Sequence, residues 1–168
     1  GYYFNNMGTD SYGGYTQEAT TATLDNQQSN GMPNNSTFYR YFGNLDMKMR
    51  FAFKVGQTTK FRLFFGYAPS SLALSSNTPL DNLSGFGLFI AEDGNFKITS
   101  NNGSASSYVS SDLATIDTNV HTMFIESDSA NSRWGYKFDN QNTVYYSSQA
   151  PSPTTGLNLQ FNLRTREA

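Results

Sequence analysis

The chain has 168 residues, with 11 Lys and Arg against 13 Asp and Glu, a net charge of −2 and a pI near 5.2. Cations this sparse and scattered argue against nucleic-acid binding, which needs clustered Lys and Arg on phosphates. No apolar run reaches the roughly 18 residues of a membrane span, and the absence of cysteine rules out disulfides and thiolate metal sites.

Only 14% of the residues are charged, where about a quarter is usual. Polarity comes instead from Asn, Ser, Thr and Gln, set among 14 Phe and 11 Tyr. That mixture favours strands and turns over helices. The length fits one domain, residues 1–168, whether whole or part of a longer chain.

The first 36 residues are the least patterned. Tyr2-Tyr3-Phe4 and Thr16 to Leu24 each read as a strand, and Asp25 to Ser36 as a loop. From Leu45 to Val55 every odd position is apolar and every even one charged except Ala52. Side chains alternate faces along a strand, so this segment reads as half-buried, with one solvated face. A turn at 56–59 leads to a strand at 60–67, with Phe61, Leu63 and Phe65 on one face and Arg62 and Phe64 on the other. The two are expected to pair as a hairpin. Residues 68–84 read as a long polar loop. Phe86 to Ala91 and Phe96 to Thr99 flank Asp93-Gly94, a strong hairpin signal.

Further on, Asn101 to Ser104 reads as a turn, and residues 111–119 have room for one helical turn. His121 to Glu126 reads as a strand with Met123 and Ile125 on one face. After a turn at 128–131, Trp134, Tyr136 and Phe138 share a face opposite Arg133 and Lys137. Residues 139–142 turn into Thr143 to Tyr146. Last, Leu157, Leu159, Phe161 and Leu163 alternate with Asn158, Gln160, Asn162 and Arg164. About nine to twelve strands, negligible helix and no fixed-period repeat give an all-β sandwich or barrel.

Particular stretches carry a resemblance. They are Thr78-Pro79-Leu80 before Ser84-Gly85-Phe86-Gly87-Leu88, then Asp93-Gly94-Asn95-Phe96-Lys97, Asp117 to Thr122, Ile125-Glu126, Ala130 to Trp134, and Tyr136 to Asp139. On these, residues 79–164 resemble the concanavalin A-like, laminin G-like jelly rolls, in the form found in phage and virus structural proteins and related surface proteins. The resemblance implies an antiparallel jelly-roll β-sandwich. Such domains close with a further apolar strand beside the N-terminal region. With the sequence ending at Arg164 to Ala168, a sheet edge is expected to lie open for another stretch of chain or another subunit.

This fold also hosts glycoside hydrolases, whose catalytic strand carries Glu-x-Asp followed by a second Glu. Here Glu126-Ser127-Asp128 supplies the first two residues, and Ala130 and Asn131 stand where the third belongs. A retaining mechanism needs paired carboxyls in distinct roles, so Glu126 and Asp128 read as strand-end and turn residues. His121 is alone, which precludes a His-rich metal site, and no Gly-x-Ser-x-Gly elbow is present. Calcium is the metal that oxygen donors suit, with Asp93, Asn95, Asp139, Asn140 and Asn142 as candidate ligands, though the same residues serve turn geometry. Otherwise no cofactor is expected. Tyr39, Tyr41, Trp134, Tyr145 and Tyr146 are candidate ligand-stacking aromatics, Trp134 with a competing core role. Sequons at Asn34, Asn35, Asn82 and Asn102 permit glycosylation on export.

Together these features predict a non-enzymatic structural or attachment protein of a virion or cell surface, and an extracellular or virion location. Its expected partners are copies of itself, other structural subunits, a glycan or a host receptor, without membrane insertion. A lectin-like carbohydrate-binding module and a divergent glycoside hydrolase are the alternatives.

Overall fold

The computed structural model describes residues 2–5, 14–17, 28–30, 40–45, 47–69, 72, 74, 76–104, 106, 108–147 and 149–165. They form thirteen strands and two short 3-10 turns: β1 (Tyr2–Asn5), β2 (Gly14–Gln17), β3 (Gln28–Asn30), β4 (Arg40–Tyr41), β5 (Lys48–Phe53), β6 (Phe61–Ala68), β7 (Gly85–Ile90), β8 (Asn95–Asn101), β9 (Val109–Thr115), β10 (His121–Asp128), β11 (Arg133–Phe138), β12 (Tyr145–Ser147) and β13 (Gly156–Thr165). All pairings are antiparallel. One sheet runs β12-β11-β10-β5. A larger one runs β3-β13-β6-β7-β8-β9, with β4 also on β13, and β1 and β2 pair with each other.

The two large sheets face each other as a sandwich, as the alternation in the sequence predicts. In β5 the odd residues Met49, Phe51 and Phe53 turn toward the core while Lys48, Arg50 and Ala52 are exposed. From the other strands the core takes Phe61, Phe86, Ile90, Phe96, Ile98, Met123, Ile125, Trp134, Phe138 and Leu157. Aromatic rings bridge the sheets. Phe51 meets Phe65 at 4.5 Å between centroids, Phe53 meets Phe96 at 5.5 Å, and Phe86 meets Trp134 at 5.2 Å. Such pairs add about 0.5–1.5 kcal/mol each beyond their buried area.

Several local expectations hold. β7 and β8 form the hairpin around Gly94, whose φ of 90° needs a residue without a side-chain penalty. β10 places Met123 and Ile125 fully inside, and β11 does the same with Trp134. Tyr2 to Phe4 lies in β1. Of the strand expected at 16–24, Thr16 and Gln17 lie in β2 and the rest falls outside the described residues.

Others need correction. Segments 45–55 and 60–67 are not a hairpin. β5 pairs with β10 and β6 with β13 and β7, so the turn between them crosses from one sheet to the other. Local alternation cannot tell an edge partner from a partner across the core, and Phe51 meets Phe65 edge-on from the opposite sheet. Residues 111–115 of the supposed helical stretch extend as part of β9, held by β8. Inside the supposed loop at 25–36, Gln28–Asn30 pair with β13 as a strand. The edge expected to lie open is closed. β13 is paired on both sides, by β6 and by β3 and β4 from the N-terminal region.

The loop before β7 is also less polar in effect than in composition. Leu72, Leu74 and Leu80 are buried against Phe64 and Phe89 on the outer face of the larger sheet. Arg62, almost fully buried, fastens this cover. Its Nη2 meets Glu92 Oε2 at 2.8 Å, Nε donates to Asn77 Oδ1 at 3.1 Å and Nη1 to the Leu74 carbonyl at 3.1 Å. Asn101 adds a bond from its side-chain amide to the Leu80 carbonyl at 2.8 Å.

Candidate functional site

With that outer face covered by its own chain, attention falls on the outer face of the β12-β11-β10-β5 sheet. Strand register decides what stands there. Even residues of β10 point outward because Met123 and Ile125 point in. Phe124 lies opposite Arg50 on one side and Lys137 on the other. Two positions along, Glu126 lies opposite Lys48 and Gly135, and Gly135 opposite Tyr146. The face therefore carries two cross-strand rows about 7 Å apart, Arg50–Phe124–Lys137 and Lys48–Glu126–Gly135–Tyr146.

The first row bounds a shallow cleft of about 320 Å³, lined by Arg50, Thr122, Phe124, Lys137 and the turn residues Asp139 to Asn142, with the Met123 backbone beneath. Phe124 is a half-buried apolar side chain on a polar face, and the Lys137 ammonium lies 5.8 Å from its ring centre. The rim residues Asn140, Gln141 and Asn142 are exposed. Gln141 closes its own turn by accepting the Phe138 N–H at 3.0 Å.

The second row is a polar network around an exposed aromatic. Tyr146 is 44% exposed, and its hydroxyl donates to Glu126 Oε1 at 2.5 Å. The Arg133 guanidinium lies 3.9 Å from the centre of its ring, and the Lys48 ammonium is 3.7 Å from Glu126 Oε2. The Glu126 hydrogen bond pushes the Tyr146 phenol above its ordinary pKa. Gly135 gives the ring its seat. A Cβ there would lie 2.6 Å from Val144 Cγ1 and 2.9 Å from Tyr146 Cε1. Asp128 is bound by Arg133 Nε at 2.6 Å and by the Asn131 amide at 2.9 Å to each oxygen. Arg133 foremost holds its carboxyl below the usual value.

The turn beside the cleft is clamped from within. Asp139 has a left-handed φ of 49°, accepts the Thr122 N–H at 2.8 Å through Oδ1, and returns its own N–H to the Thr122 carbonyl at 2.8 Å. Its Oδ2 meets His121 Nδ1 at 2.8 Å, while His121 Nε2 meets Asp117 Oδ1 at 2.9 Å. The imidazole stacks on Phe138 at 5.1 Å and 18°. Burial alone lowers the His121 pKa, but the two carboxylates outweigh it and the net shift is upward.

Against the sequence-derived candidates the outcome is mixed. Tyr145 and Tyr146 are neighbours on opposite faces of β12. Tyr145, 49% exposed, stacks on Tyr136 at 5.8 Å, and Tyr146 caps the second row. Tyr41, 51% exposed, lies in β4 on the larger sheet, away from both rows. Tyr39 falls outside the described residues. Trp134 is a correction. It has no exposed surface and sits between Phe86 and Tyr136, so it serves the core and is out of a ligand's reach.

Asp93 and Asn95 belong to the β7–β8 turn. Asp93 holds Lys97 at 2.6 Å and accepts the Asn95 N–H, and Asn95 bonds Asp112. Asp139, Asn140 and Asn142 belong to the turn after β11, on the other sheet, so the five proposed cation ligands divide between two turns. Among the described residues no group of three His, Asp or Glu gathers to hold a metal.

No protein-family model and no curated protein matches the chain. Among solved structures it is similar to the carbohydrate recognition domain of Emp47p, with a TM-score of 0.47 and 11% identity over 73% of this chain and 66% of that one. It is also similar to the CBM40 module of the Ruminococcus gnavus IT-sialidase, with a TM-score of 0.34 and 10% identity over 71% of this chain and 74% of that one. The same module bound to alpha2,3 sialyllactose gives a TM-score of 0.36 and 11% identity over 73% and 77%. The fold is an antiparallel β-sandwich.

Arg50, Thr122, Phe124 and Lys137 escaped the sequence reading. The available signal was Phe124, an apolar residue on the polar face of β10 between Thr122 and Glu126. The cations beside it become neighbours only through a three-strand register.

Proposed function

We propose that this domain is a carbohydrate-recognition module that holds a glycan on the outer face of the β12-β11-β10-β5 sheet. The observation that carries the reading is the cleft lined by Phe124, Thr122, Asn140 and Asn142, with Tyr146 on the same face one row and two strands away. A pyranose has one face of C–H bonds and an edge of hydroxyls. It needs an aromatic surface beneath the first and amide or hydroxyl groups around the second, and about 320 Å³ is at the small end of ligand sites. Tyr and Asn also supply adaptable contacts at little entropic cost.

Recognition rather than hydrolysis fits the carboxylates. Glu126 is engaged by Tyr146 and Lys48, and Asp128 by Arg133 and Asn131, which supports recognition over the acid and nucleophile pair of a retaining hydrolase. The same proposal places the domain outside the cell or on a particle surface, where glycans are met, and assigns it no cofactor.

The test is a glycan array followed by calorimetric titration of the best binder. Phe124→Ala and Tyr146→Ala are expected to weaken binding about five- to thirtyfold, corresponding to ~1–2 kcal/mol lost with an aromatic contact, with melting temperature nearly unchanged. No retained glycan, or full affinity in both variants, refutes the reading. Glycan hydrolysis that disappears in Glu126→Gln would replace it with the hydrolase alternative.

A further inference from the structure

We infer that the cleft selects glycans bearing an acidic group, a carboxylate or a sulfate ester, which sits between Arg50 and Lys137. The inference rests on the glycan reading above and goes beyond it, because charge is not required to bind a sugar.

The chain has 11 basic residues, and several are neutralised in place: Lys48 by Glu126, Arg62 by Glu92, Lys97 by Asp93 and Asp112, Arg133 by Asp128. Arg50 and Lys137 are not among these. They flank Phe124 from the two adjacent strands, and neither has a carboxylate partner among the described residues. The acids nearest them are engaged elsewhere. Glu126 faces Tyr146 and Lys48, and Asp139 turns Oδ1 to the Thr122 N–H and Oδ2 to His121.

Among the described residues Lys54 and Lys60 also lack a carboxylate partner, but Arg50 and Lys137 are the cations that join Phe124 in lining the cleft. Strands one apart are about 4.8 Å apart, so the two cations rise from backbones about 10 Å apart. An anion over the middle strand is within reach of both. A guanidinium offers a planar fork that matches two oxygens of a carboxylate or sulfate, and an ammonium adds a mobile point charge. The aromatic floor distinguishes this ligand from a bare phosphate or chloride, since it needs a ring with an apolar face joined to the anion.

The experiment is an array of matched neutral, sulfated and carboxylated oligosaccharides, followed by titration of the wild type and variants with the best acidic glycan and its neutral parent. The acidic member is expected to bind at least about tenfold tighter. Arg50→Gln and Lys137→Gln should each lower its affinity at least about tenfold, the usual effect of one charge-assisted hydrogen bond. Neutral-glycan affinity should fall much less than acidic-glycan affinity, and Arg50→Lys should retain part of the selectivity. Raising salt should weaken only the acidic ligand. Which of the two acidic arms binds identifies the group.

Equal binding of acidic and neutral partners, or variants that weaken both alike, overturns this inference and leaves the glycan reading standing. Retention of no glycan at all overturns both, as does salt-dependent capture of an oligonucleotide with no glycan bound. Melting curves within about 2 °C of wild type show that loss of affinity is not loss of fold.

Discussion

Replacing Arg62 with Met, a side chain of similar reach without charge, tests whether the cover on the larger sheet depends on one buried guanidinium. Arg62 holds Glu92 at 2.8 Å, Asn77 at 3.1 Å and the Leu74 carbonyl at 3.1 Å. Breaking a fully buried ion pair from one side costs about 3–5 kcal/mol. Asn77 is exposed and the Glu92 side chain is 24% exposed, so water replaces the guanidinium at those two partners. The Leu74 carbonyl loses a donor in a buried setting. The expected loss is therefore at the lower end, about 3 kcal/mol. For a chain of this size that lowers the melting temperature by about 6–12 °C. Calorimetry and urea unfolding measure it, and hydrogen exchange at the Leu72, Asp81 and Leu83 amides, each bonded within the loop, should quicken as the cover loosens. A loss under about 1 kcal/mol, or unchanged exchange in that loop, would show that Leu72, Leu74 and Leu80 hold the cover without the arginine.

The remaining expectations concern the other sheet. His121 has a folded pKa raised above 6.5, so its contribution to stability is full below pH 6.5 and is lost as pH rises through the folded value. NMR titration should give a pKa above 6.5, and wild type should lose stability over that interval while His121→Asn does not; a pKa at or below 6.5 contradicts the clamp. Gly135→Ala should push the Tyr146 ring off its seat, cost about 1–2 kcal/mol through the lost Glu126 bond and Arg133 stacking, and weaken glycan binding about as much as Tyr146→Ala; unchanged affinity would remove Tyr146 from the site. Glycan binding should survive EDTA, checked by titration in matched buffers with and without calcium, and loss on chelation would restore calcium to the turns.

The parts of this molecule legible in its sequence follow from short-range geometry. Leu45 to Val55 and Leu157 to Leu163 alternate because each lies in a sheet with one face against the core, and Asp93-Gly94 marks a hairpin because the turn needs a positive φ. Partner choice was not legible. β5 leaves β6 for β10, although β6 is next in sequence, because pairing is settled by closure of the whole sandwich. Nor was the burial of polar positions. Asn158, Gln160 and Asn162 look solvated by alternation yet are buried on the outer face of β13. Of the site, Tyr146 was found by its residue type and polar setting. Arg50 and Lys137, far apart in sequence, look like ordinary solvated charges until register places Phe124 between them.

The central claim is tested most directly by mapping a glycan from the array onto the folded domain through its backbone amide NMR shifts. The largest shifts should fall at Arg50, Thr122, Phe124, Lys137, Asn140, Asn142 and Tyr146, with Phe64, Leu80 and Phe89 on the covered sheet unmoved. Shifts centred on the covered sheet, or at the Asn101–Ser104 turn with the cleft silent, would contradict it.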